Sequence, residues 1–199
     1  MFGNDVKFKY EWRPYQKRVL DQVEKYIKDK KIHIVAAPGS GKTILGLELA
    51  RYLKKPVLIL SPTITIKNQW IDRFISSFTT YNEIPSWVSL DIYDLKFFNV
   101  ATYQALHYAY KRQKCKDTYS SVEDTDDIVK EEEELKDISL IKQYDIIKQI
   151  KDKKISTIIL DEAHHLKSAW WNSLKDVIEE LGNINIISLT ATPPYDSKY

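Results

Sequence analysis

Short apolar runs alternate along this chain with longer runs whose apolar positions recur at helical spacing. The short runs occupy 32–37, Val57–Ser61, Phe98–Thr102, 157–160 and 184–189. They are apolar almost throughout and most give way to polar or turn-forming residues, the pattern of strands buried on both faces. The longer runs occupy 14–29, Lys42–Leu53, Ile64–Phe78 and 169–181. In the last, Trp170, Leu174, Val177, Ile178 and Leu181 fall on one helical face, which assigns Trp170 to the core. Strand and helix in alternation predict an α/β domain of three layers, a mostly parallel sheet with helices on both faces.

One stretch breaks the alternation. Around 112–138 the chain carries an insertion, and between Asp117 and Asp137 ten acids stand against two lysines. A block of like charge has too little apolar surface to fold tightly, so a solvated, mobile excursion is expected between the third and fourth strands.

Composition narrows the class. Five Trp, thirteen Tyr and six Phe in 199 residues are enough for a core. A formal net charge of +2 gives no global signal for nucleic acid, so any such surface must be local. The lone Cys115 excludes a disulfide framework and fits a reducing compartment. No run approaches the ~18 apolar residues of a membrane span, and the first residues lack a signal-peptide core. A cytoplasmic protein without membrane partners is expected.

Chemistry enters at the end of the first strand. Ala36 is followed at P-loop spacing by Gly41, Lys42 and Thr43, with a strand before and a helix after. Gly39 and Gly41 let the backbone curl around phosphate, with Ser40 between them. The following helix adds its N-terminal dipole, Lys42 reaches the β- and γ-phosphates, and the Thr43 hydroxyl can ligate Mg²⁺. A second site lies at the end of the fourth strand, where Asp161 and Glu162 leave a buried run toward the ligand edge of a parallel sheet. Adjacent carboxylates there diverge, so Asp161 is assigned to Mg²⁺ and Glu162 to the water that attacks the γ-phosphate. The spacing of His164 and His165 is not that of a zinc protease. His164 is read as a hydrogen-bonding group near phosphate, and His165 has no assigned task.

In this order the motifs resemble the superfamily 2 helicases and translocases. AAPGSGKT is similar to their motif I, and Asp161, Glu162, Ala163 and His164 spell the DEAH form of motif II. SLTATPPY is similar to motif III, LSPTITIKNQW to motif Ia, and VATYQAL to the strand-and-loop element on the same track. WRPYQ resembles the element ahead of the P-loop. The combination RPYQ, DEAHHL and TATPP looks most like the branch that includes type III restriction subunits, rather than the RNA-remodelling DEAD-box enzymes.

The resemblance implies a RecA-like P-loop lobe, the first of two, that hydrolyses ATP with Mg²⁺ to drive movement on DNA rather than RNA. It implies adenine recognition by Gln16 with Arg13, and coupling of ATP state to lobe movement through Thr190 and Thr192, with His164. It implies nucleic-acid contacts at Thr63, Lys67, Gln69, Thr102 and Gln104. The partner lobe, which supplies an arginine, is expected to lie outside these residues, leaving the isolated lobe weakly active. The competing reading is an ATP-dependent clamp or sensor subunit of a restriction or repair complex that binds nucleic acid without unwinding it.

Overall fold

The computed structural model describes residues 2–3, 5–114, 144–163 and 166–191. Among them, strands β1 (Lys31–Val35), β2 (Val57–Ser61), β3 (Val88–Ser89), β4 (Phe98–Thr102), β5 (Thr157–Asp161) and β6 (Asn185–Thr190) form a single sheet. Its order is β1-β6-β5-β2-β4-β3, and every pairing is parallel. The helices are α1 (Pro14–Tyr26), continued by a 3-10 turn at Ile27–Asp29, then α2 (Lys42–Leu53), α3 (Ile64–Phe78), α4 (Tyr103–Lys114), α5 (Ile146–Asp152) and α6 (Ser168–Leu181).

Crossover handedness decides which helix covers which face. From β1 through β2 to β4 the chain steps one way along the sheet, and from β4 through β5 to β6 it steps back. Right-handed crossovers therefore put α2 and α3 on one face and the later helices on the other. The side chains sort accordingly. In β2, Val57 and Ile59 join a core with residues of α1, α2 and α3, whereas Leu58 and Leu60 join a second core with residues of α4, α5 and α6. In β5, Ile159 points to the first core, and Ile158 and Leu160 to the second. All are buried, which is why these strands read as unbroken apolar runs.

The first core is mainly aliphatic but holds Trp70, Phe74, Phe78 and Phe98, with Phe74 of α3 stacked on Phe98 of β4 at 5.0 Å between ring centres. In α6, Leu174 and Val177 are buried, while Trp170 is half-buried against the second core and Trp171 is exposed. Helix α4 continues to Lys114, so residues 112–114 belong to it; the rest of the acidic stretch, and Cys115, lie outside the described residues. No helix among the described residues is long and apolar enough to cross a membrane. Because all strands are parallel, β1, β2, β4, β5 and β6 end along one edge of the sheet, and Ala36, Thr63, Gln104, Glu162 and Ala191 follow those ends.

Candidate active site

The loop 36–41 joins β1 to α2. Gly39 and Gly41 adopt φ of +70° and +94°, a region that residues with a side chain rarely enter. At Gly41 a Cβ would also stand 2.8 Å from Gln16 Nε2. That close approach is a hydrogen bond to the backbone, Gln16 Nε2 donating to Gly41 O at 3.1 Å. Gln16 Oε1 accepts the Arg13 N–H at 3.0 Å and so caps α1. Arg13 Nη1 donates to Gly39 O at 2.9 Å and Ser40 O at 3.0 Å, and the Tyr15 hydroxyl donates to Ser40 O at 2.8 Å. The element expected to meet adenine is thus also the brace of the loop, and both amide atoms of the buried Gln16 are engaged within the chain.

Lys42 opens α2. Its Nζ donates to Ala36 O at 3.0 Å and lies 3.4 Å from Glu162 Oε1. Thr43 follows, half-buried in the first turn of α2. Asp161 closes β5 and is buried; Trp70 Nε1 of α3 donates to its Oδ2 at 2.7 Å, and the Tyr103 hydroxyl of α4 donates to its main-chain oxygen at 3.1 Å. Glu162 takes φ +50°, a conformation that costs a residue with a side chain about 1 kcal/mol or more. Its N–H donates to Leu189 O at 2.8 Å, and its Oε2 accepts the Ala191 N–H at 3.0 Å. This left-handed step sends Asp161 toward the indole and Glu162 toward Lys42 and the end of β6.

The two carboxylates differ electrostatically. Burial pushes the Asp161 carboxyl up to about 6; the Glu162 charge adds to this, against the pull of Trp70 and Lys42. Burial also pushes Glu162 up, but the Ala191 N–H, Lys42 and Thr190 outweigh it and hold Glu162 below its ordinary value. Thr190 ties the edge together further, since its carbonyl accepts the Ala36 N–H at 3.1 Å. His164, expected near phosphate, and Thr192, expected to couple ATP state to lobe movement, lie outside the described residues.

The expected nucleic-acid residues divide. Thr63 and Gln69 are exposed on α3, with Thr63 Oγ1 accepting the Ile66 N–H at 3.2 Å as its cap. Gln104 is half-buried, and its Nε2 has no hydrogen-bond partner among the described residues. Thr102 is buried and caps α4 by accepting the Ala105 N–H at 3.1 Å. Lys67 is the most buried of the five. It shares the inward stripe of α3 with Trp70, Ile71 and Phe74, is buried, and donates to Leu90 O at 3.4 Å. The sequence alone gives Trp70, Tyr15 and Tyr103 no role beyond packing or motif membership. The available signal was that a core Trp or Tyr carries a polar hydrogen that needs an acceptor.

The donor set suits a nucleoside triphosphate with a small hard cation. Helix α2 begins with N–H groups that no helical carbonyl can pair, and Ser40 Oγ is buried without a partner among the described residues. Thr43 and Asp161 offer the oxygen ligands Mg²⁺ requires.

Residues 9–195 match the family described as "Type III restriction enzyme, res subunit". A curated relative, the DNA 3'-5' translocase XPB2 of Sulfurisphaera tokodaii, is 27% identical over 191 residues, 96% of this chain and 33% of the relative. Among solved structures, the Hef helicase domain of Pyrococcus furiosus aligns with a TM-score of 0.56 at 20% identity, over 94% of this chain and 34% of that one. The UvsW helicase of bacteriophage T4 aligns with a TM-score of 0.54 at 16% identity, over 94% and 55%. At these identities the structural likenesses establish the fold. The chain spans about a third of the length of the curated relative.

Proposed function

Because this chain belongs to the family of the type III restriction enzyme res subunit, we propose that it is the first RecA-like lobe of a cytoplasmic DNA helicase or translocase that hydrolyses ATP. The observation that carries this reading is the 3.4 Å pairing of Lys42 with Glu162, which joins the phosphate loop to the strand-end carboxylate. Lys42 and the first-turn N–H groups of α2 hold the β- and γ-phosphates. Thr43 and Asp161 would hold Mg²⁺, which would supply neutralising charge at the phosphate oxygens. Glu162 orients the attacking water and accepts its proton. Gly39, Ser40 and Gly41 form the cradle, with Arg13 and Gln16 at its adenine end. Adenine recognition there requires Gln16 to exchange one of its two internal hydrogen bonds.

The end of β6 bonds both Ala36 and Glu162, which suits Thr190, with Thr192 and His164, to pass the state of the phosphate to a second RecA-like lobe. That lobe supplies the arginine that completes charge neutralisation. DNA crosses Thr63, Gln69 and Gln104, held mainly at its phosphates. The relative named a DNA translocase supports DNA as the track.

Calorimetry of this chain with ADP, with and without Mg²⁺, tests the site. Binding that strengthens with Mg²⁺ is expected, and no binding under either condition overturns the assignment. Strong DNA-stimulated hydrolysis by the chain alone overturns the need for a second lobe.

A further inference from the structure

Trp70 has no exposed surface, and its ring reaches from α3 toward α2 and β6. Gly46 makes the room. A Cβ at Gly46 would come within 2.6 Å of Trp70 Cη2 and 2.7 Å of Leu189 Cδ1, so α2 and β6 close on the indole where a side chain is missing. The slot fixes the ring with Nε1 2.7 Å from Asp161 Oδ2. From the opposite face of the sheet, the buried Tyr103 hydroxyl holds the main-chain oxygen of the same residue at 3.1 Å. Trp70 belongs to the first core and Tyr103 to the second, so Asp161 is clamped from both layers. Both donors come from the elements that follow β2 and β4.

A buried indole needs only some acceptor, and a main-chain carbonyl would serve. Here the acceptor is a carboxylate oxygen at the ligand edge, and a carboxylate free to rotate in a buried pocket would present its oxygens in no fixed direction. We propose that Trp70 is a positioning residue for Asp161. Its N–H takes up Oδ2, sets the carboxylate rotamer, and leaves Oδ1 as the oxygen offered to Mg²⁺. This rests on the assignment of Asp161 under the proposed function. Trp70 touches neither nucleotide nor metal; it acts through the carboxylate.

The experiment removes the N–H and keeps the ring. Trp70 is replaced by 3-benzothienylalanine, a bicyclic isostere with sulfur in place of the N–H. Trp70→Phe and Asp161→Asn are made alongside, and ADP binding is measured by calorimetry with and without Mg²⁺. In the isostere, metal-free ADP affinity is expected to stay within about twofold of the parent while the gain on adding Mg²⁺ falls about tenfold, the usual scale for loss of an outer-shell partner. A purely structural role would lower thermal stability and leave that gain intact. The isostere keeping the full gain while Asp161→Asn loses it overturns the role of Trp70 alone. Asp161→Asn keeping the gain overturns the metal assignment, and the inference with it. Should Trp70→Phe fail to fold, the isostere carries the test.

Discussion

Lys42 Nζ and Glu162 Oε1 stand 3.4 Å apart, so the first cation of α2 and the carboxylate after β5 neutralise each other across the end of β6. A phosphate entering the loop competes with Glu162 for that ammonium, which makes Lys42 the first position to test.

Lys42→Ala is expected to weaken Mg²⁺–nucleotide binding about tenfold to a hundredfold, from the ~1.5–3 kcal/mol typical of a hydrogen bond to a charged group. Calorimetry checks this, and equal affinity in the variant and the parent contradicts the phosphate role.

Glu162→Gln keeps the side-chain length and an oxygen to accept the Ala191 N–H but loses the charge. Nucleotide affinity should be retained while single-turnover hydrolysis falls by ~10²–10⁴. Phosphate release followed with the chain in excess over ATP reads this directly; an undiminished rate rules out Glu162 as the base.

Gly46→Ala places a methyl group 2.6 Å from Trp70 Cη2. Overpacking of this kind costs about 1–3 kcal/mol, visible as a lower urea midpoint. An unchanged midpoint would mean that α2 and α3 approach less closely than described.

His107 joins α4 to α6 through Nδ1, 2.8 Å from Ser173 Oγ. Burial, with Lys111 nearby, holds its pKa below the ordinary 6.5. Between the depressed value and 6.5 the unfolded chain binds more protons than the folded one. Stability therefore rises with pH through this window, and the contribution is lost as pH falls below 6.5. Urea midpoints at about pH 7.5 and about pH 5.5 should differ less in His107→Gln than in the parent. An equal difference in both would assign the pH dependence to other groups.

Lys67→Met keeps the apolar stem in the stripe of α3 and removes the ammonium. The salt dependence of DNA binding should be unchanged, because a buried lysine bonded to Leu90 O releases no counterion from DNA. A fall in the slope by ~1 would return Lys67 to the track.

Much of this fold was legible in the sequence because its central strands are buried on both faces. Val57–Ser61 and Phe98–Thr102 coincide with β2 and β4, and Lys42–Leu53 and Ile64–Phe78 with α2 and α3. The apolar run continues to Ala37, whereas β1 ends at Val35, although Ala36 still bonds β6 through its N–H. Strand β3 and helix α5 are too short for a period to register. In α4 the apolar face of Leu106, Ala109 and Tyr110 is interleaved with polar residues that blur it.

At the site, the loop and carboxylate residues announced themselves because their chemistry is bound to a strand–turn context. The bracing of that loop by Arg13, Tyr15 and Gln16 did not, because a side chain's partner across 25 or more positions is decided by packing. The burial of Lys67 was not legible for an opposite reason: its charge hides its place in the stripe. Four methylenes and a carbonyl within reach let it occupy a core position.

Among the described residues the two cores lie on opposite faces of the sheet. Lys114 ends α4 and Tyr144 stands just ahead of α5, and both helices pack into the second core, on the face away from α1, α2 and α3. A fluorescent reporter or an affinity handle is accordingly best grafted between Lys114 and Tyr144, whose flanking helices lie across the sheet from the P-loop helix.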